Sequence, residues 1–243
     1  MLYGSKPVDS EQNGVHHHLQ GLLTKYSRHS YLRPLSRYSQ QIFLHAEQHR
    51  QREARPIILD SGCATAESSR ELARRFPQHL VVGVDKSAHR LRKAGLADDF
   101  GVSANCLLLR MNLVDFWRLA VLYGWRLERH YLLYPNPWPK PAQLGRRWHA
   151  HPVFPYLLAL GGELEMRCNW QVYAEEFQLA VNSRFPAACR LQRFELENPL
   201  SRFELKYSAS GHRLYRCQAR LDNLAGFNQF FGSLQPELKK RLQ

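Results

Sequence analysis

The sequence predicts an α/β protein built on one doubly wound, mostly parallel sheet with an antiparallel edge strand. Three observations predict it. From Pro56 onward, short apolar runs ending in turn residues alternate with helix-patterned segments, the rhythm of strand–helix–strand units. Strands joined through helices pair in parallel by right-handed crossovers. Two late strand-like runs around a turn-rich loop add the antiparallel edge.

Residues 1–24 are polar and without periodicity, and read as a flexible tail. In this tail His16-His17-His18 reads as solvated rather than as a metal site. Residues 38–51 carry a helical pattern. Pro56-Ile57-Ile58-Leu59-Asp60 is the first buried strand, and residues 67–76 are a helix stopped by Pro77. Leu80-Val81-Val82-Gly83-Val84-Asp85 is the second strand, followed by a helix over 88–97. Residues 106–111 form the third strand, 114–123 a helix, and His130-Tyr131-Leu132-Leu133-Tyr134 the fourth strand, broken by Pro135. A helix over 153–160 ends at Gly161-Gly162, a fifth strand covers 163–168 and a helix 172–183. The late strands are 193–196 and 213–221, flanking a loop with Ser208 and Gly211. No internal repeat or linker divides residues 25–243, which read as a single domain.

The composition, 44% hydrophobic and 23% charged over 243 residues, is that of an ordinary globular chain. The charge is not ordinary: 34 Lys and Arg against 21 Asp and Glu give +13. Such a surplus favours a polyanionic partner, nucleic acid before an anionic membrane, against the alternative that it only keeps the protein soluble. Apolar stretches such as 153–160 fall far short of the roughly 20 residues of a membrane span. The first residues lack the apolar core of a signal peptide. Cys63, Cys106, Cys168, Cys189 and Cys217 are scattered and form no CxxC pair, so neither a disulfide framework nor a zinc site is expected. A reducing cytoplasm is the expected compartment, with no metal and no membrane partner.

In a doubly wound sheet, ligands bind beyond the carboxyl ends of the strands at the switch point. Asp60-Ser61-Gly62-Cys63-Ala64-Thr65-Ala66-Glu67 places small residues between a strand and a helix, where the backbone can approach a ligand closely. Asp85 ends the next strand, where an acid accepts from both hydroxyls of a ribose. The bland alternatives are a tight turn and an acid capping the next helix. Further on, Tyr134-Pro135-Asn136-Pro137-Trp138-Pro139-Lys140, followed by Arg146-Arg147, makes a rigid loop at a strand end. A flat Trp138 with Lys140, Arg146 and Arg147 suits a base and its phosphates. A structural turn with a solvated basic flank is the alternative.

The first pair resembles motif I and the acidic motif II residue of class I S-adenosylmethionine-dependent methyltransferases, with Ala64 and Ala66 where glycines are common. The second segment resembles the PDPWPK-plus-arginines signature of the bacterial tRNA (guanine-N7-)-methyltransferases. The match continues in order. Leu160-Gly161-Gly162-Glu163-Leu164 resembles that family's turn before the fifth strand, and Cys168-Asn169-Trp170-Gln171-Val172-Tyr173-Ala174 its TDxxxYA segment. Ser201-Arg202-Phe203-Glu204-Leu205-Lys206 resembles its T-x-F-E-x-K segment, and residues 105–115 its NLxLLxGDA strand. The resemblance spans roughly residues 25–220 and identifies a diverged member. It implies a Rossmann-like methyltransferase domain over 25–243, S-adenosyl-L-methionine as cofactor, and tRNA or another structured RNA as partner, for a monomer or homodimer. It implies cofactor contacts at Asp60, Gly62, Asp85, Asn112 and Ser201, catalytic roles for Asn136, Asn169 and Glu204, and RNA contacts at Trp138, Lys140, Arg146 and Arg147.

Where the family has Asp, this sequence has Asn at 112, 136 and 169. Guanine N7 carries a lone pair and no proton, so methyl transfer to it needs no general base. It needs in-line placement, worth ~7–11 kcal/mol, and stabilisation of the positive charge that develops on the purine. A carboxylate on the Watson–Crick edge does both, whereas asparagine keeps one acceptor and loses the charge. Glu204 is the acid expected to supply it, while Glu175 and Glu176 read as a solvated helix face. Arg28, Arg33, Arg37, Lys140, Arg146, Arg147, Arg202 and Lys206, with His149 and His151, are the expected rim. Two readings stand: an active guanine-N7 methyltransferase acting on tRNA, or a diverged paralogue that binds RNA or cofactor without efficient transfer.

Overall fold

A computed structural model describes residues 4–28, 31, 33–222 and 226–239. Helices α1 (Leu19–Arg28) and α2 (Arg37–Glu53) precede the sheet. Then come β1 (Ile57–Ser61), α3 (Glu67–Arg75), β2 (Leu80–Asp85), α4 (Ala88–Lys93), β3 (Phe100–Ser103), β4 (Cys106–Arg110), α5 (Leu113–Leu122) and β5 (Arg129–Leu133). Two 3₁₀ turns, Pro141–Arg146 and Trp148–Ala150, lead to α6 (Phe154–Ala159), β6 (Glu163–Cys168), α7 (Gln171–Arg184), β7 (Arg190–Phe194), α8 (Arg202–Ala209), β8 (Leu214–Arg220) and α9 (Phe227–Lys239).

The strands form one sheet in the order β3-β4-β2-β1-β5-β6-β8-β7. The chain winds outward from β1 through β2 to β4, then returns across β1 to β5 and β6, all in parallel. The switch point therefore lies between β1 and β5. Both β1 and β2 are buried along their whole length, as expected of strands covered on both faces. Alternate residues point to opposite layers. Ile57, Leu59, Val82 and Val84 face a large cluster with α2, α5, α6 and α7. Ile58, Val81 and Leu108 face a smaller one with Leu72 of α3 and Leu91 of α4. Gly83 is required here, since a Cβ would collide with Ser69 Oγ of α3 and Leu108 of β4.

The antiparallel part exceeds the expected single edge. β8 pairs antiparallel with both β6 and β7, and β3 pairs antiparallel with β4, so both edges of the sheet are antiparallel. β3 escapes a sequence reading because Phe100, Val102 and Ser103 are exposed and carry no buried pattern. Residues 202–209, expected as loop, form α8. Its start was legible: Ser201 caps it by accepting from the Glu204 N–H at 3.3 Å, the Ser-x-x-Glu spacing of a helix N-terminus.

The tail expectation is corrected. Residues 19–24 belong to α1, whose Leu19 is fully buried. Ser5, Ser10, Gln12 and His16 each hydrogen-bond residues more than 120 positions away. Residues 1–3 lie outside the described residues.

Candidate active site

Of seven non-glycine residues at positive φ among the described residues, four lie on the loops after β1 and β5: Ala64, Ala66, Tyr134 and Trp138. Such backbones persist only where their surroundings over-determine them, and they concentrate at binding sites. Strain and switch point thus coincide.

The first half of the site is built from three adjacent strand ends. After β1, the Gly62 and Cys63 N–H groups both donate to Val84 O of β2, which turns the loop up over the sheet with Gly62 at φ 82°. The Ala64 N–H donates to Asp85 Oδ2 at 3.1 Å and the Ser87 N–H to Oδ1 at 2.8 Å. Asp85 therefore joins the β1 loop to the start of α4, where Ser87 is the N-cap. The Met111 N–H donates to Asp85 O at 2.9 Å. This brings in Asn112, which caps α5 by accepting from the Val114 N–H at 2.9 Å. Gly62, Asp85 and Asn112 thus share one rim. Leu200 shares an apolar cluster with Cys63 and Ala66, and Arg202 pairs with Glu67 at 2.9 Å. The start of α8, with half-exposed Ser201, therefore sits over the β1 loop.

Asp60 does not join that rim. It is buried beneath the loop, and its Oδ2 accepts from the Ser68 and Ser69 hydroxyls of α3 at 2.6 and 2.7 Å. Burial pushes its carboxyl up to about 6, against the pull of the two hydroxyls. Its role is to pin the first turn of α3. The Ser61 hydroxyl, also buried, lies 2.8 Å from His130 Nε2 and accepts from Trp117 Nε1 at 3.0 Å. Burial pushes His130 down to about 3, which keeps it neutral.

The second half follows β5. The Tyr134 N–H donates to Arg167 O, holding its φ of 48°, and its hydroxyl donates to Glu204 Oε1 at 3.3 Å. Glu204 is fully buried. It also accepts from Arg167 Nη1 at 2.7 Å and from the Leu200 N–H at 2.6 Å. Both oxygens are engaged and the charge faces a guanidinium, so Glu204 anchors α8 to β6 rather than presenting a free carboxylate. Asn136 is exposed, and its Oδ1 accepts from the Trp138 N–H at 3.3 Å. Lys140 and Arg146 are exposed, with the Arg146 guanidinium 4.8 Å over the half-buried Trp138 ring.

Asn169 follows β6. Its amide N–H donates to His212 Nδ1 at 2.9 Å, and His212 Nε2–H donates to Ser5 O at 2.9 Å. These partners assign the proton to Nε2. The Tyr207 ring lies 5.2 Å from both Tyr134 and His212, so the two loops meet across α8. Neither Tyr207 nor His212 carried a sequence signal.

Arg147 and His149 are corrections to the expected rim, and Glu176 to the expected solvated face. All three are fully buried. Arg147 Nη1 pairs with Glu176 Oε2 at 2.7 Å, its Nε and Nη2 donate to Trp138 O at 3.2 and 3.1 Å, and its guanidinium lies 4.8 Å over Trp170. His149 Nε2–H donates to Glu176 Oε2 at 2.8 Å, with burial keeping the imidazole neutral. Burial opposes ionisation of Glu176, but His149 and Arg147 outweigh it and hold the carboxyl low, at about 2. Arg146 points out and Arg147 points in because the first 3₁₀ turn ends between them.

The strand order, the switch point and the Gly62–Asp85–Asn112 rim define the class I methyltransferase fold. The family model described as putative methyltransferase matches residues 54–217. The chain belongs to this methyltransferase family. A protein of Halorhodospira halophila named tRNA (guanine-N(7)-)-methyltransferase is 29% identical over 187 residues, covering 69% of this chain and 76% of its own. One of the same name from Geobacillus sp. (strain WCH70) is 23% identical, covering 76% and 90%. The crystal structure of the 16S rRNA methyltransferase KamB superposes with a TM-score of 0.50 at 16% identity, over 78% of this chain and 95% of that one. A structure described as an antibiotic related methyltransferase gives 0.50 at 12% identity, over 72% and 93%. These structures support the fold alone. Among the described residues no helix is long and apolar enough to cross a membrane.

The rim fits S-adenosylmethionine. Each Asp85 oxygen accepts one backbone N–H and keeps a lone pair for a ribose hydroxyl. A Cβ on Gly62 would meet only Leu113 Cδ1, at an ordinary contact distance of 4.0 Å, so nothing crowds the backbone there. The Asn112 amide N–H₂ makes no hydrogen bond among the described residues, which leaves it for an adenine nitrogen.

Proposed function

We propose that this protein transfers a methyl group from S-adenosylmethionine to N7 of a guanosine in tRNA. The observation that carries the reading is the loop 134–140. It stands beside the switch-point crevice with Asn136 and Lys140 exposed and Trp138 under Arg146, and it belongs to a chain 23–29% identical to enzymes named for that reaction. Gly62, Asp85 and Asn112 hold the cofactor and Ser201 lies over it; Asp60 acts from below through α3. When bound, the cofactor supplies an electrophilic sulfonium methyl. The chain supplies placement. Asn136 offers a carbonyl and an amide to the guanine edge, while Trp138, Lys140 and Arg146 hold the base and neighbouring phosphates. Asn169 acts through His212, and Glu204 through Arg167 and Tyr134, as groups that position these loops.

The acids nearest the substrate half are internally paired, Glu204 with Arg167 and Glu176 with Arg147. Rate enhancement therefore comes from proximity and the rigid loop more than from a carboxylate facing the purine. Five cysteines, all buried and unpaired, suit a reducing cytoplasm, and the reading serves a monomer or a homodimer alike. The test is to incubate the protein with methyl-labelled S-adenosylmethionine and bulk tRNA. Label in the RNA supports the reading. RNA that stays unlabelled while calorimetry shows cofactor binding overturns it.

A further inference from the structure

The segment before α1 touches the Trp138 loop and the α8–β8 turn that holds Asn169. Ser5 meets the α8–β8 turn twice: its N–H donates to Ser210 Oγ at 2.9 Å, and its carbonyl accepts from His212, the partner of Asn169. The Ser10 hydroxyl donates to Pro139 O at 2.6 Å, on the Trp138 loop. Gln12 bridges the two partners of the buried pair alongside their direct contact. Its Nε2–H donates to Glu176 Oε1 at 2.7 Å, and its Oε1 accepts from Arg147 Nη2 at 3.0 Å. The His16 N–H donates to the same Glu176 oxygen at 3.0 Å. A lone ion pair would have needed none of this. The carboxylate accepts four hydrogen bonds, two of them from residues 12 and 16, and the guanidinium passes the constraint to the carbonyl of Trp138, whose φ is 47°.

We infer that residues 5–16 form a strap over the substrate mouth and that Gln12 and Glu176 are positioning residues for methyl transfer, acting through Arg147 on Trp138. The inference rests on the function proposed above. Sequence pattern conceals it, because a polar segment without periodicity is ordered here by side-chain and backbone hydrogen bonds rather than by an apolar face.

The test compares Gln12→Ala and Glu176→Gln with the wild-type chain. Gln12 is half-buried and belongs to no apolar cluster, so its loss spares the fold. Hydrogen exchange should quicken at residues 136–140 and 211–213 in Gln12→Ala. With tRNA as the probe, kcat/KM should fall about ten- to 150-fold, the effect of losing hydrogen bonds to charged groups, while the cofactor Kd stays within about twofold. Glu176→Asp should recover more activity than Glu176→Gln, since it keeps the charge. Unchanged exchange at 136–140 in Gln12→Ala overturns the inference, as does a parallel loss of cofactor affinity and Tm. If the wild type modifies no RNA, the functional reading falls; the exchange result still decides whether the strap holds the loop.

Discussion

Arg146 and Arg147 are chemically identical neighbours with opposite environments, and replacing each by alanine separates the two roles. Arg147→Ala removes the guanidinium paired with Glu176, two hydrogen bonds to Trp138 O and one to Gln12. The carboxylate, fully buried, keeps His149, Gln12 and His16 as donors but faces no cation. Breaking a buried pair from one side costs about 3–5 kcal/mol. The remaining donors place this case near 3 kcal/mol. For a chain of this size 1 kcal/mol moves Tm by about 2–4 °C, so Tm should fall by about 6–12 °C. Arg147→Ala/Glu176→Gln should recover part of that loss, because the orphan charge goes with its partner. Arg146→Ala should leave Tm within about 1 °C and weaken tRNA binding, with the log–log salt slope less steep by about 1. Thermal unfolding followed by circular dichroism, with filter binding over a salt series, reads both. Loss of RNA affinity in Arg147→Ala at unchanged Tm would refute the assignment of Arg147 to the interior.

Four further outcomes are expected. Asn136→Asp keeps the acceptor for the Trp138 N–H and adds a charge, so it should raise transfer to guanine; unchanged or lower transfer would mean Asn136 does not face the base. Asn169→Asp cannot donate to His212 Nδ1, so it should lower kcat/KM for tRNA, and a gain would place the target base directly on residue 169. Ala64→Gly relieves a φ of 50°, worth about 1 kcal/mol, against a similar unfolded-state entropy; chemical denaturation should show almost no loss of stability, where an ordinary helical Ala→Gly loses about 1 kcal/mol. Asp60 titrates at about 6 when folded against 3.8 ordinarily. The folded state therefore binds the extra proton between about pH 4 and 6, and this group's contribution is full below that window and lost as pH rises through 6. Asp60→Asn should flatten that part of the stability–pH curve, and an unaltered curve would contradict the raised value.

Much of the fold was legible because its central strands are fully buried apolar runs: Ile57–Ser61 and Leu80–Asp85 announce themselves without help from context. The cofactor rim was legible for a related reason, since Gly62 directly follows one such run, Asp85 ends the other and Asn112 stands just beyond β4. The substrate half was not. Whether Arg146 or Arg147 points inward depends on where a six-residue 3₁₀ turn ends, and charge alone is blind to that. Glu176 was more accessible: it shares helical phase with the buried Val172, Tyr173 and Ala180, and a spacing of three and four residues places it on the inner face. The order of residues 5–16 had no signal in periodicity, because hydrogen bonds rather than apolar contacts fix it.

The central claim is chemical, and the identity of the methylated nucleoside tests it most directly. tRNA treated with the protein and S-adenosylmethionine, digested to nucleosides and separated against standards, should contain new 7-methylguanosine. Methylation appearing only on another nucleoside, or on none while the cofactor binds, would contradict it.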